Sequence, residues 1–162
     1  MKSSIGLAFV SAVIIARPAA GQAITPDSLG FITAQGDALV FKDGGVFGLS
    51  QVVVAGDPSK PGIYVVRVRF APYQTSRPHW HDQDRFVTVI KGTWWTAAGP
   101  QADKYDTTTA HLTPLKAGSF MKHPAGGHHW DGAKAEETIV QIIGMGPVKT
   151  VNVNPDGTPK KP

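Results

Sequence analysis

The chain contains no cysteine, which excludes disulfides and every thiolate metal site. Any metal it holds must be bound by His, Asp, Glu, Gln or backbone oxygen. It also lacks a basic cluster. Its 16 Lys and Arg face 12 Asp and Glu, and the only Lys pair near the C-terminus is a short "PKKP". That balance does not imply a nucleic-acid partner. No apolar run is long enough to span a bilayer, which takes about 20 residues. Helix signals are scarce as well: beyond the first residues no i, i+3, i+4, i+7 stripe is sustained, and no internal repeat is visible.

The first 23 residues read differently from the rest. Lys2 precedes an apolar run from Ile5 to Ile15, which Arg17 and Pro18 cut short, and Gly21 and Ala23 fit the small positions before a cleavage point. This is the pattern of a secretory signal peptide, 1–23, cleaved after Ala23, and the expected location is secreted or periplasmic. Removing Lys2 and Arg17 leaves 14 basic residues against 12 acidic ones in the 139 residues (162 minus 23) from Ile24 onward.

What the remainder has is punctuation. Sixteen Gly and 12 Pro from residue 24 onward break the chain into short apolar or alternating runs such as "IYVVRVRFA", "RFVTVIKGTWWTAAG" and "ETIVQIIGMG". Runs of that length between turn signals predict an all-β protein, a sandwich or barrel. In "YVVRVRF", Tyr64, Val66, Val68 and Phe70 share one face and Val65, Arg67 and Arg69 the other, the mark of a strand with one buried side. The expected domain is a single one over 24–154, followed by a flexible tail over 155–162, where no core-forming run remains.

Five of the six histidines fall in two short segments, 79–81 and 123–129. On a strand, i and i+2 point to one face, so His79 and His81 aim two imidazoles into one space. Their Cα atoms lie about 6.6–6.8 Å apart. Tetrahedral bonds of about 2.0–2.1 Å need ligand nitrogens roughly 3.4 Å apart, so the rings must converge modestly. Of the neighbours His128 and His129, only one can easily look inward. His123 precedes Pro124, which biases it to extended backbone, and it either lines the same cavity or packs as a polar residue at its mouth. His111 lies in a polar loop.

These two segments resemble the paired motifs of the cupin superfamily. The first motif is a glycine, five residues, His-x-His, three or four residues, Glu, six residues, Gly. His79, His81, position 85 and Gly92 fall on that spacing, within 72–92, although the leading glycine is absent. The second is Gly, five residues, Pro-x-Gly, two residues, His, three residues, Asn. Gly118, Pro124, Gly126 and His129 fit it within 118–133, and Ala133 stands in place of the Asn. The stretch from about 50 to 148 is similar to small bacterial cupins. The resemblance implies an antiparallel jelly-roll barrel and a metal inside it held by His79, His81 and His129. Fe, Zn, Ni, Cu and Mn all suit such imidazole ligands.

The cupin glutamate is replaced by Arg85. A unit positive charge about 6 Å from a divalent ion would cost roughly 5 kcal/mol at an effective dielectric of about 20. Three arrangements relieve that repulsion. Arg85 turns away to Asp82, Asp84, Glu136 or Glu137; an anionic ligand sits between it and the metal; or there is no metal. The functions that follow are a metal-dependent enzyme (dioxygenase, isomerase or hydrolase) on a small oxygenated or carboxylated molecule, a non-catalytic small-ligand or metal-binding barrel, and a metal-free structural cupin, with a homodimer allowed in each. In the enzyme, Arg85 orients the anion, and His123 or Gln141 serves as proton shuttle or orienting group.

Overall fold

The computed structural model describes residues 24–108 and 111–161. The signal-peptide expectation for 1–23 lies outside the described residues. Ten strands follow in order: β1 Ser50–Ala55, β2 Gly62–Phe70, β3 His79–His81, β4 Arg85–Lys91, β5 Thr93–Ala98, β6 Thr113–Lys116, β7 Phe120–His123, β8 His129–Gly132, β9 Thr138–Gly146 and β10 Thr150–Asn152. The remaining regular structure among the described residues is short 3₁₀ turns, at Gly36–Ala38, Val46–Gly48 and Gly99–Lys104. No helix among them is long and apolar enough to cross a membrane.

The strands form two antiparallel five-stranded sheets, β1-β2-β9-β4-β7 and β10-β3-β8-β5-β6, packed face to face as a jelly roll. The expected all-β jelly roll is therefore present. It is a two-sheet shell whose ladders do not run from one sheet into the other among the described residues. The chain repeatedly steps between sheets. Gly92 makes one such step between β4 and β5 with φ of 74°, and a Cβ there would lie 2.4 Å from the Glu137 carbonyl oxygen. A side chain at that corner is barred both by conformation and by space.

The two inner faces are chemically unlike. The first sheet presents Tyr64, Val66, Val68 and Phe70 from β2, Val87 and Val89 from β4, and Val140 and Ile142 from β9, all buried. Each buried aliphatic side chain contributes about 1.5–3 kcal/mol through the hydrophobic effect, so this wall holds the sandwich shut. The alternation read in β2 is present in full: its odd partners Val65, Arg67 and Arg69 are only partly buried. The second sheet turns imidazoles inward from β3 and β8, over a second apolar cluster of Ala97, Ala102, Leu112 and Trp130.

The end of the chain folds back on itself. Asn154 N–H donates to the Thr158 carbonyl at 2.8 Å and Lys160 N–H to the Asn152 carbonyl at 2.7 Å, while Val153 is buried.

Candidate metal centre

His79 and His81 occupy alternate positions of β3 and both point inward. Antiparallel pairing sets His79 directly opposite His129 on β8. One sheet thus supplies all three imidazoles, from neighbouring strands, and their ligating atoms lie within 4.8 Å of one another. Ring centroids are 4.8 Å apart for His79 and His81, 4.3 Å for His79 and His129, and 5.3 Å for His81 and His129. Of the histidine pair 128–129, His129 faces in and His128 faces away, its Nδ1 2.7 Å from Asp103 Oδ1.

The outer nitrogens of these rings are tied down. His79 Nδ1 donates to the Arg77 carbonyl at 2.5 Å, and His129 Nδ1 to the Gly127 carbonyl at 2.9 Å. Those bonds fix the tautomer, leaving each Nε2 as a bare lone pair. His129 Nε2 is buried without any partner among the described residues. His81 Nδ1 lies 3.2 Å from Thr150 Oγ1, and its Nε2 faces the Arg85 Nη1. Neutral imidazoles with ligating nitrogens within 4.8 Å of one another suit a divalent transition metal.

Arg85 does not turn outward. Asp84 pairs with Lys122 at 2.6 Å, Glu137 with Lys91 at 2.9 Å, and Asp82 accepts from the Lys149 backbone at 2.7 Å. Its guanidinium lies inside the shell against His81, beside the Tyr64 hydroxyl, and its Nε is buried without a partner. The period of β4 explains this, since Arg85, Val87 and Val89 alternate onto the inner face. Directly across β9 from both Tyr64 and Arg85 stands Gly144. A Cβ at Gly144 would lie 2.6 Å from the Tyr64 hydroxyl oxygen, so the missing side chain is what gives the Tyr64 phenol its place beside Arg85.

His123, from β7 on the opposite sheet, closes the cluster. Its ring centroid is 3.7 Å from that of His129, and neither of its nitrogens has a partner among the described residues. Gln141 is not brought to the cavity. It accepts from Arg67 Nε at 3.1 Å on the outer face of β9, while Val140 and Ile142 take the inner face. Sequence reasoning passed over Asp131 and Tyr64. Asp131 sits two residues after His129, so the period-2 rule that paired His79 with His81 would have found it. Its carboxylate oxygens lie 3.9 Å from His123 Nε2 and 4.0 Å from His129 Nε2, and with those two rings it makes a second ligand-like triad.

Burial dominates the electrostatics. The four imidazoles and Asp131 are each at most 5% exposed. Desolvation, with Arg85 adding to it, lowers His79 from 6.5 to about 4, His81 to about 2 and His123 to about 3. His129 is also pushed well below its ordinary value, by burial and then by the neighbouring rings. All four are neutral, ligand-ready bases at neutral pH. Burial pushes Asp131 up to about 7, with Thr96 and the Arg85 charge pulling the other way.

The cluster opens into a cavity of about 280 Å³, walled by Val66, Val68, Phe70, Val87, Val140 and Ile142. Nine buried side-chain polar atoms lack a partner among the described residues, and seven of them belong to residues lining this cavity. Each such atom costs about 1–3 kcal/mol if left unpaired. Their concentration in one place marks it as a site built for polar occupants rather than as core.

No protein-family model matches the chain, and neither does any curated protein. Solved structures do. A protein of unknown function with a cupin-like fold from Ralstonia eutropha matches at 24% identity and TM-score 0.52, over 69% of this chain and 62% of that one. KdgF from Halomonas matches at 16% identity and TM-score 0.51, over 69% of this chain and 93% of that one. The polyketide cyclase RemF from Streptomyces resistomycificus matches at 14% and 0.52, over 72% and 80%. At these identities the likeness speaks to the fold, and the fold is that of the cupins.

Proposed function

We propose that this chain is a metal-dependent cupin enzyme acting on a small carboxylated molecule inside the cavity. His79, His81 and His129 would hold one divalent transition metal, which supplies Lewis acidity toward a ligand oxygen when bound. The apolar wall excludes water and takes the body of the ligand. Arg85 receives its carboxylate, since a guanidinium forks onto two oxygens and no side-chain carboxylate pairs with it. Tyr64 offers a second buried donor beside it. His123, unpartnered at both nitrogens and 3.9 Å from Asp131, is placed to hold or pass a proton. The observation that carries this reading is a half-buried arginine without a carboxylate partner among the described residues, set against His81 of the three-imidazole cluster.

That some cupin-fold proteins are enzymes, as the polyketide cyclase is, supports turnover. A second reading is ligand capture without chemistry. It is favoured by Asp131 being the only acidic residue among those lining the cavity, which leaves no second carboxylate to act as general base. Elemental analysis of untagged protein, followed by a panel of small carboxylic acids, tests both. Metal near one equivalent, lost in H129A and kept in H128A, is expected. Metal without turnover on any acid would leave the capture reading, and no metal in the native protein would refute the metal-dependent enzyme. The pattern of residues 1–23 adds export to the proposal; mature protein starting at Ile24 is the expected N-terminus.

A further inference from the structure

We infer that Arg85 makes metal binding and anion binding depend on each other, because its guanidinium occupies the His81 lone pair that a metal needs. The inference rests on the metal-and-carboxylate reading above and adds how the two ligands are linked.

A guanidinium is always protonated and only donates. The contact between Arg85 Nη1 and His81 Nε2 therefore has the imidazole as acceptor. Its Nδ1–H then faces the Thr150 hydroxyl, 3.2 Å away. One lone pair cannot accept an N–H and ligate a metal together. As it stands, His79 and His129 are ready and His81 is engaged. A metal arriving alone must break that hydrogen bond and sit beside an uncompensated cation.

An anion removes both obstacles. Among the described residues Arg85 makes no ion pair: Asp82, Asp84 and Glu137 are engaged elsewhere. Asp131 bears on it through its field alone. Arg85 Nε and the Tyr64 hydroxyl are both buried without partners and both belong to residues lining the cavity. Gly144, across the ladder from each, has no Cβ, and the Tyr64 phenol takes that place next to Arg85 at the cavity wall. A carboxylate there is a better acceptor for the guanidinium than a neutral imidazole. It would draw Arg85 off His81, complete the triad and shield the metal from the positive charge. Linkage makes the effect reciprocal: whatever factor the anion adds to metal affinity, the metal adds to anion affinity.

The test is zinc calorimetry on chelator-stripped full-length protein in a buffer free of carboxylate and phosphate. Zn²⁺ is titrated alone, then with saturating acetate or benzoate, with neutral benzamide as control. The native protein should bind Zn²⁺ about 10- to 100-fold more tightly with a carboxylate present and no more tightly with benzamide. R85Q should bind Zn²⁺ more tightly than native protein without any anion, and should ignore the carboxylates. R85M carries the same expectation and serves if R85Q does not fold, as judged by near-UV circular dichroism. Native affinity indifferent to both carboxylates, or neither folded variant binding Zn²⁺ more tightly than native protein, overturns the coupling while the metal reading survives. Failure of native protein and variants alike to bind Zn²⁺ overturns both.

Discussion

Lowering the pH of the metal-free protein from 7 to 5 should cost it about 4 kcal/mol of folding stability or more, an amount set by five buried groups. Each of the four cavity imidazoles has a folded pKa below its ordinary 6.5, at about 4, 2 and 3 for His79, His81 and His123 and well below it for His129. A depressed folded pKa means that the unfolded chain takes up the proton first. The stabilisation is complete above 6.5 and is lost as pH falls toward the folded value. Between pH 7 and 5 that amounts to about 2 kcal/mol for each of His79, His81 and His123, and His129 adds in the same direction. Asp131 runs the other way. Its folded pKa of about 7 exceeds the ordinary 3.8, so the native state binds its proton first and gains about 2 kcal/mol over the same interval. The exposed Asp57 and Asp84 have lowered pKa values and titrate below this window. A net loss of about 4 kcal/mol, with His129 adding to it, approaches the lower end of the 5–15 kcal/mol that a whole domain possesses. Guanidinium melts in chelator at pH 7, 6 and 5 measure it. A midpoint that stays flat or rises toward pH 5 would show that these rings are not buried as neutral bases.

Substituting G144A should cost about 1–3 kcal/mol by overpacking, since the added Cβ meets Tyr64 at 2.6 and 2.8 Å. Combining it with Y64F should recover part of that loss in thermal melts, and equal losses in the single and double variants would refute the contact. Q141A should leave Zn²⁺ affinity unchanged and cost only the net value of its bond to Arg67, about 0.5–1.5 kcal/mol. A tenfold loss of zinc affinity in Q141A would contradict its placement on the outer face.

Where sequence pattern carried one meaning, it was readable. The β2 alternation names its buried face because apolar and charged residues truly alternate. His79 and His81 share a face because strand geometry leaves no choice. The choice between His128 and His129 needed the register with β3, which the cupin resemblance supplied through motif spacing. Other positions were illegible for physical reasons. In "TIVQIIG" both faces are apolar, so nothing in the pattern places Gln141 outside. For Arg85 two rules collide: the β4 period puts it inward, and the cost of burying a cation argues for outward. The structure resolves this with the room left by Gly144 and with His81 as acceptor, neither of which is local in sequence. Tyr64 reads as core because its ring is core; only the position of its hydroxyl, beside Arg85, makes it part of the site. Asp131 was legible by the same two-residue step as the histidines.

The most direct measurement is anomalous diffraction, at the metal edge, from crystals soaked with Zn²⁺ and acetate. A single peak bounded by the inward nitrogens of His79, His81 and His129, with Arg85 turned from His81 onto the acetate, is the predicted result. A peak only at the outward pair His128 and Asp103, or none within the shell, would contradict the account.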